Sequence, residues 1–122
     1  MIEEDYVSFE TAKLLKEKGF AETSNTIGTY NNKGEFFLYG HENGYNHNRL
    51  STWYSAPTLQ MAMKWLRKVY GLFIRITEDM AGNVFEWSVY QKNYGCKAST
   101  YVEDSYEKAC EVAIKYCLEH LI

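Results

Sequence analysis

Between Ala56 and Ile76 the chain reads APTLQMAMKWLRKVYGLFIRI, one helix running straight into one strand. Pro57 suits the first helical turn, where its missing N–H would have no partner anyway. Leu59, Ala62, Leu66 and Val69 then recur at helical spacing, with Met63 and Trp65 widening the apolar stripe. Gln60, Lys64, Arg67 and Lys68 fall on the opposite face. Gly71 ends the helix, and Leu72, Ile74 and Ile76 alternate with Phe73, Arg75 and Thr77, the two-residue period of a strand. A helix striped on one side, followed at once by a strand with one apolar face, requires a partner layer, and that points to helices packed on a sheet.

The flanking segments supply such layers. Phe9 to Lys18 reads as a helix. Ser8 can cap it, Val7 can pack on Ala12, Gly19 suits a left-handed C′ position, and Phe20 falls where a Schellman ending contacts Leu15. Lys13, Lys16, Glu17 and Lys18 then form its solvated face. Thr26 to Tyr30 and Glu35 to Tyr39 read as two strands around the turn Asn31-Asn32-Lys33-Gly34. Val84 to Gln91 sets Phe85, Trp87 and Val89 on one face and Glu86, Ser88 and Tyr90 on the other. The turn Glu78–Asn83 joins it to the preceding strand as an antiparallel hairpin. After the turn Asn93-Tyr94-Gly95, Lys97 to Val102 reads as a third strand. The last helix runs from about Ser105 to Leu121, with Asp104 and Glu107 at capping-box spacing and Glu111 and Lys115 at the favourable ion-pair spacing. The expected architecture is a single α+β domain over residues 1–122. One mainly antiparallel sheet carries helices packed mainly on one face, in the order α-β-β-α-β-β-(β)-α.

Residues 40–55, GHENGYNHNRLSTWYS, show no periodicity and are expected as a loop. A loop of this length in a small domain is as a rule functional or mobile. It carries Tyr45, Arg49, Trp53 and Tyr54, residue types enriched at protein interfaces. The bland reading is that Trp53 and Tyr54 tuck onto the sheet. The chain as a whole is 16% aromatic, with 11 Tyr, whose polar tips suit half-buried surface positions.

Charge and chemistry narrow the function. The net charge is −3. Residues 57–122 carry eight basic and eight acidic residues, so that part is neutral overall. Duplex binders normally carry a basic excess, which makes nucleic acid the weaker expectation. A patch of Lys64, Arg67 and Lys68 is its only visible basis. Residues 57–122 share the α-β-β-β-α order of double-stranded-RNA-binding domains. The basic cluster those domains need at the start of their last helix is replaced here by Glu103, Asp104, Ser105, Tyr106, Glu107 and Lys108. His41 and His47, with five residues between them in a loop, do not have metal-ligand spacing. Cys110 and Cys117 lie on the apolar stripe of the last helix as small core residues, and Cys96 is the one thiol expected at the surface. No phosphate loop, dinucleotide fingerprint or serine elbow is present. No cofactor or metal is therefore expected, and no membrane span, since no run of about 20 apolar residues exists. The start, MIEEDYVSFE, lacks the apolar run of a signal peptide, which makes the cytoplasm the expected setting.

The segments SFETAKLLKEKGF (8–20), APTLQMAMKWLRKVYGLFIRI (56–76) and SYEKACEVAIKYCLEHLI (105–122) resemble a group of small uncharacterised proteins of bacterial phage and mobile-element genomes. The resemblance implies a cytoplasmic accessory protein and supplies no catalytic or binding residues. The expectation is a non-enzymatic binding protein acting on a protein partner or on itself as a homodimer. Tyr45, Arg49, Trp53 and Tyr54 form the candidate surface. The alternative is a nucleic-acid-binding module using Lys64, Arg67 and Lys68.

Overall fold

The structure, a computed structural model, describes residues 2–24, 26–38, 46–79, 81 and 83–122. The fold is α+β with antiparallel strands, as expected. The strands form two three-stranded sheets rather than one, and the chain divides into two compact units, 1–58 and 59–122.

The first unit contains α1 (Phe9–Glu17), β1 (Gly28–Asn31), β2 (Phe36–Phe37) and β3 (Trp53–Ala56). Helix α1 begins and ends as its sequence dictates. Ser8 Oγ accepts the Thr11 amide at 3.2 Å. Phe20 N donates to Leu15 O and Gly19 N to Lys16 O, the two bonds of a Schellman ending, with Gly19 at φ 88°. Val7, Ala12, Leu15 and Phe20 are buried. In the turn after β1, Asn31 Oδ1 accepts the amides of Lys33 and Glu35. The expected hairpin is present with shorter strands, and the last residue expected in it, Tyr39, lies outside the described residues. Gly28 sits inside a strand for a reason of space: a Cβ there would stand 2.5 Å from the Phe36 ring.

Residues 53–55, expected as the end of a loop, form β3 together with Ala56 instead. It pairs antiparallel with β1 along its whole length, giving the order β2-β1-β3. A short 3₁₀ turn, His47–Arg49, precedes it. Pro57 lies outside the helix that follows, and its carbonyl accepts the Val7 amide at 3.0 Å.

The second unit contains α2 (Leu59–Tyr70), β4 (Leu72–Glu78), β5 (Phe85–Gln91), β6 (Gly95–Glu103) and α3 (Tyr106–Tyr116), which continues through a π turn, Cys117–Leu121. Its α-β-β-β-α order is the one expected, and its sheet order is β4-β5-β6. Helix α3 packs on all three strands, and α2 packs on β4 and α3. Leu59, Ala62, Met63, Trp65 and Leu66 of α2 are buried, as are Ala109, Cys110, Ala113, Ile114, Cys117 and Leu118 of α3 and its extension. Leu72, Trp87 and Val89 line the sheet's packed face. Each large aliphatic side chain so buried contributes about 1.5–3 kcal/mol.

Two details depart from expectation. Val69, at helical spacing from Leu66, is 54% exposed, while Trp65 and Tyr70 meet in edge contact at 5.3 Å in the same helix. The cap of α3 is Ser105, whose Oγ accepts the Lys108 amide at 3.0 Å, and not Asp104. Among the described residues no helix is long and apolar enough to cross a membrane.

Candidate binding surfaces

Trp53 and Tyr54 are neighbours in β3, so their side chains leave opposite faces of the sheet. Tyr54 stands in register with Tyr30, and Tyr30 with Phe36. The Phe9 ring of α1 rests on both tyrosines, at 5.4 Å from Tyr30 and 5.6 Å from Tyr54. Tyr6 extends the series onto Phe36 at 5.0 Å. Tyr54 is thus part of the packing between α1 and its sheet. Trp53 meets Phe37 at 5.9 Å on the other face. The two residues do not form one surface. Arg49 is exposed on the 3₁₀ turn. Tyr45 and His41 lie outside the described residues.

The segment 46–55 is tied down by polar bonds. Asn48 donates from Nδ2 to Phe20 O at 2.8 Å and accepts the Ser55 amide at Oδ1 at 2.8 Å. Lys16, expected in water, donates from Nζ to Leu50 O at 2.6 Å and Trp53 O at 2.9 Å, over the Tyr54 ring. Burial holds its ammonium pKa below the usual lysine value. Among the described residues no group of three or more His, Cys, Asp or Glu is placed to hold a metal ion. Cys96 is exposed, while Cys110 and Cys117 are buried.

In the second unit Lys64, Arg67 and Lys68 are exposed on α2, away from its buried stripe. The topology adds to them. Leu72, Gln91 and Gly95 pair at one end of the sheet, and Glu78, Phe85 and Glu103 at the other. The last turn of α2 feeds the first end, where Lys92 N donates to Gly71 O at 3.0 Å. Arg67, Lys68, Lys92 and Lys97 are therefore gathered at that end, with Glu119 as its acid. Glu78, Asp79, Glu86, Glu103, Asp104 and Glu107 are gathered at the second end, with Lys108 as its base. The bond from Gln60 Nε2 to Tyr106 Oη, 3.2 Å, confirms that both helices start at the second end. A unit that is neutral by count is thus polarised along its strands.

The sheet face turned away from the helices was not anticipated as a site. Across it the register sets Phe73 beside Tyr90 and Tyr90 beside Cys96, then Arg75 beside Ser88, then Thr77 beside Glu86 and Glu86 beside Val102. Phe73 is 42% and Val102 51% exposed. The Arg75 guanidinium lies over the Tyr90 ring, 4.8 Å from its centroid. The signal was the alternation of β4 and β5, which put Phe73 with Arg75 and Tyr90 with Glu86 on the faces left over once Ile74, Ile76, Trp87 and Val89 are turned inward. Comparison of the chain with family models, with curated proteins and with solved structures finds no match.

Proposed function

We propose that the chain is a small, non-enzymatic accessory protein that works through protein contacts, and that the open face of β4-β5-β6 is its contact surface. The observation that carries this reading is the exposure of Phe73 and Val102 on a sheet whose reverse side takes two helices. The two stand at opposite corners of that face with Tyr90, Arg75 and Glu86 between them, and a surface that mixes exposed apolar side chains with Tyr and Arg has the composition of a protein contact. The shift from the 45–54 segment to this face follows from the separation of Trp53 and Tyr54 by β3. The setting proposed is the cytoplasm of a bacterium carrying a phage or mobile element. Three free thiols, one of them exposed, suit a reducing compartment.

A photo-cross-linking side chain in place of Phe73 tests the reading in cells. The expected outcome is a discrete protein adduct that is absent when the same group replaces Lys13 on α1. If position 73 gives no protein adduct, the reading fails.

A second reading, nucleic-acid binding, is favoured by the gathering of Arg67, Lys68, Lys92 and Lys97 at one end of the sheet. Four phosphate contacts would make the logarithm of affinity fall with the logarithm of salt with a slope of roughly −3 to −4. Fluorescence anisotropy with labelled single-stranded and duplex probes at low salt reads this directly. The quadruple change to Gln should abolish any signal. Flat anisotropy with the unaltered protein removes the reading.

A further inference from the structure

Resting on the protein-contact reading, the geometry points to a second copy of this chain as the partner. We propose a face-to-face dimer across β4-β5-β6, related by a two-fold axis that runs across the strands. The polarity of the unit selects this axis. A two-fold axis along the strands would lay cationic end on cationic end. An axis across them lays the end bearing Lys92 and Lys97 on the end bearing Glu78, Asp79, Glu86 and Glu103. Such a pairing is isologous and closes on itself.

The open face is complementary to itself under that operation. The row Phe73–Tyr90–Cys96 comes to lie over the row Thr77–Glu86–Val102 of the second copy. Phe73 then meets the Thr77 methyl, Cys96 meets Val102, and the carboxylate of Glu86 arrives over Tyr90. Arg75 is already inclined toward that row, its guanidinium over the Tyr90 ring. It therefore pairs with Glu86 of the second copy, and the symmetry makes the pair twice. The two Arg75 side chains start near the axis but lean away from each other, each toward its own Tyr90. Strands about 4.8 Å apart and seven residues long cover roughly 300 Å² of footprint per copy. That is small beside a standard interface of about 800 Å² per partner, so the dimer is weak and concentration-dependent.

Sedimentation equilibrium from about 10 to 500 µM at low salt tests the proposal, a range chosen for an interface of this size. The unaltered chain is expected to climb toward twice the monomer mass. R75E and E86R each set like charges face to face and should stay monomeric, with unchanged circular dichroism and melting, since both positions are exposed. An equimolar mixture of R75E and E86R should dimerise again. In the mixed pair the two new charges oppose each other on one side, and the native Arg75 and Glu86 oppose each other on the other. Only a contact between chains can produce that recovery. The proposal is overturned if the unaltered chain is monomeric at the highest concentration, if either single variant dimerises as it does, or if the mixture stays monomeric. If the group at position 73 captures a different protein while the chain stays monomeric, the dimer is wrong and the protein-contact reading stands. If position 73 captures no protein, both fall.

Discussion

Asn48 holds the first unit together through one amide group. Its Nδ2 satisfies the carbonyl after α1, and its Oδ1 satisfies the amide of Ser55, a residue with no exposure. Asn48→Ala leaves that buried amide without its acceptor, and such a loss costs about 1–3 kcal/mol. Asn48→Asp keeps the acceptor and should cost less. Urea unfolding of the two variants checks the order, and equal losses would mean the side chain acts by packing alone. Cys117 makes a second residue-level case. Burial pushes its thiol up to about 12, from an ordinary value of 9.0. The folded chain therefore keeps this proton where the unfolded chain gives it up. The linked stability is fully present below pH 9 and is lost progressively as pH rises from 9 toward 12. Cys117→Ala should flatten that part of the alkaline stability curve relative to the unaltered chain. Thiol titration of the native protein should find Cys96 reactive and Cys117 silent until unfolding. Neither of these Asn48 bonds was legible in the sequence, because they join residues 28 and 7 positions apart with no periodic relation. The burial of Cys117 was legible, because it sits on a helical stripe.

At the scale of elements, what could be read depended on periodicity. Helix α1, with its cap and its Schellman ending, could be read almost residue by residue, and so could β4 and β5, whose inward and outward residues alternate as expected. Strand β3 could not. Its two buried residues, Ser55 and Ala56, are adjacent and too small to mark an apolar period, and its neighbours in sequence are Asn, Gly and Ser, which signal loop. The candidate surface is divided at the same place: two adjacent aromatics look like a patch in a loop and are split apart in a strand. The α3 cap was misplaced by one residue, because Asp104 and Ser105 are both good caps and only geometry chooses between them. The choice predicts an asymmetry. Ser105→Ala should lower stability by about 1 kcal/mol, the usual worth of such a cap. Asp104→Ala should change it much less. Thermal melts of the pair decide the matter, and the reverse order would place the cap at Asp104.

For the whole molecule, alternation reveals which side of each strand is apolar but not which strand it pairs with. The five expected strands were therefore compatible with one sheet, and the structure distributes its six into two. Charge shows the same limit: counting made residues 57–122 neutral, and only the antiparallel register sorts the cations and acids to opposite ends. That sorting gives self-association a pH and salt signature. The chain has a pI near 5.6, so copies repel through their net negative charge at pH 8 and lose that repulsion as pH falls toward the pI. The weight-average mass at fixed concentration should therefore rise as pH falls from 8 to about 5.6. Salt at about 1 M shortens the screening length to roughly 3 Å and should reduce association at every pH. E86Q should lower association at every pH. Association that strengthens with salt would show Phe73 and Val102 driving the contact with no part for the charges, and the axis chosen by polarity would then lose its basis.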